Sequence, residues 1–336
     1  MSKPLLNFEY PPPKTWRNHL SKALRDYKSR QYKKRTDQLV KTIVDQGVCV
    51  FGPFIGELGH LLAHNLPLVT WLKAQGVKVH FVGFEKFEAF LYDSTGEPLY
   101  EQFYPLRDFG GETSIKSNFA EEFPADVAEE WNRLKSSFAE KGWPTWYLED
   151  ETEYWYEYRK WLYKSDFFQV SDLSQVYGKR EPGKKVCSVF VRFRPPDNPV
   201  KLAANGPLWD YEKLVEALLD VYDEINLVGS PHQSIDSFSI KDERVKWRVS
   251  HNNREILQLI GSSDMMITPH SGAMYLSAYF TAGLTVIYHG IRDYSEIADV
   301  HSTLAYLHKL NPNINTIFAF SNTDIKDKLI RFHETT

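Results

Sequence analysis

Several short apolar runs in this chain are followed at once by residues able to do chemistry. The run at 47–51 (GVCVF) leads into Gly-Pro-Phe-Ile-Gly-Glu-Leu-Gly-His, which sets one carboxylate, Glu57, and one imidazole, His60, in a glycine-rich turn. Either group at a strand end can take a proton from a bound hydroxyl as a general base. The plainer role for Glu57 is a helix-start charge complementing the dipole. The run at 186–193 (VCSVFVRF) is followed by Arg194, with Arg192 two residues back on the same strand face. Asp197 is a third, more remote carboxylate. Three later runs end in Gly229-Ser230-Pro231-His232, Pro269-His270-Ser271-Gly272 and His289-Gly290. Small residues, hydroxyls, arginines and a helix start are what an anionic diphosphate requires. A Ser-Gly helix start alone is an ordinary cap. The joint placement of small residues, hydroxyls, arginines and that helix start at successive strand ends is what points to a ligand.

Other chemistries lack their signatures. His60 and His64 are four apart and could share a helix face as zinc ligands. No third ligand or His-Glu-x-x-His pattern accompanies them, so no metal and no cofactor is expected. The sequence has no Asp-x-Asp, no GxxxxGK[ST] loop and no GxGxxG loop after a strand. Metal-dependent single-domain sugar transfer, P-loop NTPases and ordinary NAD-dependent dehydrogenases are disfavoured. The two cysteines, Cys49 and Cys187, each lie in an apolar run. They are no disulfide framework, and they suit a reducing, cytoplasmic compartment.

These groups need elements to hold them. Apolar runs at 47–51 and 77–84 flank a helical pattern at 60–75, giving a strand–loop–helix–strand start of a doubly wound sheet. Residues 112–157 carry twelve acids against four bases and read as helical. Residues 171–185, rich in Ser, Gly, Lys and Pro, read as a linker. Strands are then expected at 186–193, 225–228, 245–249, 265–268 and 284–288, with helices at 211–222, 253–260 and 273–282. The chain from 297 reads as helical. The fold class is α/β, in two consecutive domains. The expected divisions are 1–170, 186–310 and a segment 311–336 returning to the first domain.

At 336 residues, 42% hydrophobic and 25% charged, the chain can bury two cores. A net charge of −4 argues against a general nucleic-acid coat. No apolar run reaches membrane-spanning length, and the first residues lack a signal-peptide core. Residues 1–41 hold eleven basic and three acidic residues along a helical pattern from 15 to 46, with Trp16, Leu20, Leu24 and Tyr27 on one face. The plain reading is a solvated helix face; the alternative is peripheral contact with an anionic membrane. Four Trp and five Tyr crowd 143–163. Packing is their commoner use, and stacking on a glycan the other.

The run GSSDMMITPHSGAMYLSAYFTAGLTVIYHG from Gly261 resembles the donor-binding signature of the heptosyltransferase family of GT-B glycosyltransferases. LWDYEKLVEALLDVYDEINLVGSP is similar to that family's helix–strand–Gly-Ser-Pro segment, and GELGHLLAHNLPLVTWLK to its first-domain helix opening. VFVRFRPPD resembles the strand-borne arginine motif of fucosyltransferase-like GT-B enzymes. The likeness spans roughly 120 residues and is strongest over 208–290. Tyr275 stands where the family has His, and its first-domain Asp corresponds to Glu57 or His60.

The resemblance implies two Rossmann-like domains facing a central cleft. It implies an inverting, metal-independent glycosyltransferase taking a nucleotide-sugar donor and a glycan acceptor. Arg192, Arg194, Gly229, Ser230, Pro231, His270, Ser271, Gly272, Ala273 and Met274 would bind the donor. Glu57 or His60 would be the base, with Gly56 and His64 on the acceptor side. A nucleotide-sugar epimerase of the same fold and a non-catalytic sugar-binding module are the alternatives.

Overall fold

The computed structural model describes residues 16–109, 123–146, 161–162, 164–192, 210–231, 238–288, 294–321, 324–325 and 327. They divide into two compact units, one of residues 1–91 and 98–169, the other of 92–97 and 170–336.

The first unit opens with α1 (Trp16–Gln46). Its buried seam is Tyr32, Thr36, Val40 and Ile43, spaced four, four and three. Tyr27, expected on an apolar face, is 60% exposed. Gly47 ends the helix at φ +67, accepting the left-handed conformation a C-terminal stop requires. β1 (Val48–Phe54) follows, then α2 (Leu66–Ala74), β2 (Lys78–Phe84), β3 (Gln102–Leu106), α3 (Ala125–Glu140) and the two-residue β4 (Thr145–Trp146). All pairings are parallel, in the order β3-β2-β1-β4.

β1 runs three residues past the expected end. Gly52, at φ +123, makes this possible: a Cβ there would lie 2.3 Å from the Val82 carbonyl oxygen. The register against β2 shifts between Phe51 and Phe54, a bulge at Gly52-Pro53. The aromatic stretch contributes packing where it is described. Trp146 stacks on Phe51 and meets Trp161, whose indole N–H donates to Asp37 Oδ1 of α1 at 2.8 Å.

The second unit holds β5 (Val186–Phe190), α4 (Tyr211–Leu219), β6 (Glu224–Gly229), β7 (Val245–Val249), α5 (Asn253–Gly261), β8 (Met265–Pro269), β9 (Leu284–Tyr288), α6 (Tyr294–Leu310) and β10 (Thr316–Ala319). Its six parallel strands lie in the order β10-β9-β8-β5-β6-β7. Counted from β5, that is the doubly wound order of nucleotide-binding folds, reversing between β5 and β8. Cys187, Val189, Ile225, Leu227, Ile267 and Val286 fill its core with Leu214, Val215 and Leu218 of α4.

Four expectations are corrected. β3 and β4 were not anticipated, and β4 lies inside the stretch read as helical. Residues 171–185 carry a helical turn, Ser174–Tyr177, against which Gly261 packs so closely that a Cβ would meet Tyr177 C at 2.8 Å. The helix expected at 273–282 is a 3₁₀ turn, Gly272–Ala278, in which Ser277 Oγ donates back to Met274 O at 2.7 Å. Finally, the region after 310 supplies β10 at the sheet edge, where helix was expected.

Candidate functional site

In open parallel sheets, ligands bind beyond the carboxyl ends of the strands, where the strand order reverses. In the second unit the reversal lies between β5 and β8, and the chain leaves these strands through Arg192 and His270-Ser271-Gly272. Gly229, buried, ends β6, and Ser230 and Pro231 beyond it are exposed. Arg192, Ser230, Ser271 and Gly272 therefore share one sheet edge. Arg194, Asp197, His232 and His289 lie outside the described residues.

The loop after β8 begins with His270 N donating to Tyr288 O at 3.0 Å. The His270 ring is half-buried, with Nε2 3.1 Å from Thr303 Oγ1 and its plane at 72° to the Phe318 ring, 5.9 Å away. Ser271 has extended backbone and makes no side-chain cap. Met274 N donates to Ser271 O at 3.0 Å, so Gly272 and Ala273 carry the first two N–H groups of the turn, which by position have no intrahelical acceptor. Gly272 and Ala273 are half-buried, and the Met274 side chain is buried in the core.

Arg192 is held through its own main chain. Its N–H donates to the Tyr211 hydroxyl at 3.0 Å, and that hydroxyl donates to Arg192 O at 3.0 Å. The same oxygen meets the Tyr288 hydroxyl. Burial pushes Tyr211 up to about 12, against the Tyr288 hydrogen bond, the Arg192 N–H and the Arg192 charge, which lower it. Burial raises Tyr288 further, and the Arg192 charge again opposes the rise. The guanidinium thus acts electrostatically on both phenols. Sequence reasoning missed this pair. The available signal was a tyrosine closing a fully buried strand, LTVIY.

The first sheet reverses between β1 and β4, and β1 exits through Gly56 and Glu57. Glu57 is exposed at the N-cap of a helical turn, Leu58–His60, and its carbonyl accepts from His60 N at 2.9 Å and Leu61 N at 3.2 Å. Its carboxylate makes no capping bond. The chain continues as a π turn, Leu61–Asn65, before α2. That turn brings the half-buried His60 ring to 6.1 Å from the ring of His64, which is 3% exposed. Asn65 Nδ2 donates to His60 O at 3.2 Å, while its buried Oδ1 has no hydrogen-bond partner. Among the described residues no group of three or more His, Cys, Asp or Glu is placed to hold a metal ion.

No protein-family model matches the chain, and no curated protein matches it. Solved structures do. The E. coli ADP-heptose LPS heptosyltransferase II superposes with a TM-score of 0.50 at 12% identity, over 86% of this chain and 99% of that one. This chain has the GT-B fold. E. coli heptosyltransferase WaaC with ADP-2-deoxy-2-fluoro heptose matches at 0.48 and 13% identity, over 84% of this chain and 99% of that one. A glycosyl transferase family 9 protein from Veillonella parvula matches at 0.44 and 14%, over 85% and 88%. The strand-end residues described above lie at the carboxyl edges of the two parallel sheets.

Proposed function

We propose that the chain is a glycosyltransferase moving a sugar from a nucleotide-sugar donor to a hydroxyl of a glycan acceptor. The observation that carries this reading is the convergence of Arg192, Gly229-Ser230-Pro231 and Ser271-Gly272-Ala273 on one carboxyl edge of a sheet at its reversal point. The likeness to heptosyltransferase II supports the fold that this chemistry needs.

The Gly272 and Ala273 N–H groups and the Arg192 guanidinium hold the donor diphosphate. Glu57 takes the proton of the acceptor hydroxyl. The oxygen so activated bonds to the anomeric carbon as that carbon's bond to the diphosphate breaks, and the bonding pair leaves with the nucleotide. Arg192 offsets the charge that develops there, a role other enzymes give to a metal ion. Attack opposite the leaving group inverts the anomeric centre. His60 is the second candidate for the base, with His64 beside it, and Gly56 lets the acceptor approach the backbone.

The first test is thermal unfolding with ADP, UDP, GDP, CMP and their common sugars, with and without EDTA. One nucleoside diphosphate is expected to raise Tm, as any ligand selective for the folded state does, and EDTA to leave the rise unchanged. No shift with any of them defeats the donor site. Glu57→Gln is then expected to lower turnover by about 10²–10⁴-fold with the nucleotide-induced shift intact. If His60→Gln produces that loss and Glu57→Gln does not, the base is His60.

A further inference from the structure

We propose that Tyr211 and Tyr288 are positioning residues that set the reach of Arg192 toward the Ser271 turn, so that one rigid hydrogen-bonded chain spans the reversal point and fixes both halves of a diphosphate site. The inference rests on the donor reading above.

The strands involved are not neighbours. β5, which delivers Arg192, and β9, which ends in Tyr288, are separated by β8. Pro269 of β8 is the register partner of Tyr288, so the Tyr288 side chain reaches across the exit of the very strand that opens the candidate turn. Its backbone carbonyl takes the N–H of His270, and its hydroxyl meets that of Tyr211. Tyr211, the first residue of α4, closes on Arg192 at both main-chain polar groups. One phenol oxygen has one proton to give and two lone pairs to offer. Here the proton goes to Arg192 O, and the lone pairs take Arg192 N–H and the Tyr288 hydroxyl. Every capacity is used.

The Tyr211 hydroxyl thus fixes the Arg192 backbone through both its N–H and its C=O at the carboxyl end of β5. Such fixing suits a guanidinium whose value depends on where it points. Tyr288 is 2% exposed and Tyr211 5%. The chain is therefore shielded from water, and its hydrogen bonds are stronger and their geometry more restrictive than on a surface.

The test is a double-mutant cycle on the full chain, read by calorimetric binding of ADP, UDP and GDP and of the matching nucleosides. Tyr211→Phe keeps the ring and removes the hydroxyl. It is expected to weaken the nucleoside diphosphate that binds by about tenfold while leaving the nucleoside unchanged. In an Arg192→Ala background the same substitution should cost nothing further, because the group it positions is gone. Tyr288→Phe should act in the same direction and also lose its effect in that background.

A loss equal in both backgrounds, or equal for nucleoside and nucleoside diphosphate, makes the tyrosines merely structural and overturns the inference while the donor reading stands. No loss in either Phe variant overturns it as well. If none of the three nucleoside diphosphates binds the unsubstituted chain, the donor reading fails, and the positioning role fails with it.

Discussion

His80 illustrates how a single side chain can make this fold sensitive to acid. It lies buried on β2, its ring stacked 4.2 Å from that of Trp143 and its Nδ1 3.4 Å from the Tyr104 hydroxyl. Burial holds its pKa below the usual histidine range; Lys141 and Lys78 push the same way, and Glu101 opposes them. The unfolded chain therefore binds a proton on His80 at a higher pH than the folded chain does. Stability should fall as pH drops through the ordinary histidine range toward the depressed folded value, because the unfolded state then holds more protons. Urea midpoints at pH 7.5 and 5.0 check this. The wild type should lose more between them than His80→Phe, and equal losses would remove His80 from the account. Glu57 is a contrasting case. It is exposed at a strand end with no capping bond, so Glu57→Gln should leave the urea midpoint nearly unchanged.

At the scale of elements, β1 and its exit loop depend on two glycines with different constraints. Gly47 stands at φ +67 with open space where a Cβ would go, whereas Gly52 has both a positive φ and the Val82 carbonyl in the way. Gly47→Ala should cost about 1–2 kcal/mol, the price of a left-handed backbone alone. Gly52→Ala should cost on the order of 3 kcal/mol or more, since strain and overlap add. Denaturant unfolding of the two variants separates them, and equal costs would mean that the bulge relaxes.

The same elements explain what could be read beforehand. β1, β2, β5, β6, β8 and β9 announce themselves as apolar runs before turn residues, because strands covered on both faces have nothing else to be, whereas β7, VKWRV, is a half-exposed edge strand. β3 hid its identity: QFYPL is half-exposed and carries a proline, as an edge strand can. β4 has two residues and β10 four, too few for any period to register. The loops holding Glu57 and Ser271 were legible because they follow clear strands. Tyr211 and Tyr288 were not, since their partnership joins residues 77 apart in sequence, and only the folded sheet brings them together.

At the scale of the molecule, the two units repeat one plan: a parallel sheet whose order reverses beside its first strand, with chemically capable residues at the exit. α1 belongs to the first of these by its buried seam and the Asp37–Trp161 hydrogen bond. Arg30, Lys33, Lys34 and Lys41 remain exposed on it, the basic face that an anionic membrane would meet. No described helix is long and apolar enough to cross a membrane. Vesicle sedimentation with and without phosphatidylglycerol would test such contact. The solvated-face reading expects no binding, whereas binding that needs the anionic lipid and fades with salt would establish membrane contact.

The first strand of each sheet also carries one of the chain's two thiols, Cys49 on β1 and Cys187 on β5, each flanked by strands on both sides and inaccessible to solvent. Burial raises both, Cys49 to about 12, so neither ionises at neutral pH. A thiol reagent can react only after the surrounding strands part. The chain thus carries a built-in stopwatch in each half. Labelling rates resolved by peptide mass would time the opening of each sheet separately, and a nucleotide that slows Cys187 while leaving Cys49 unchanged would report which half had closed around it.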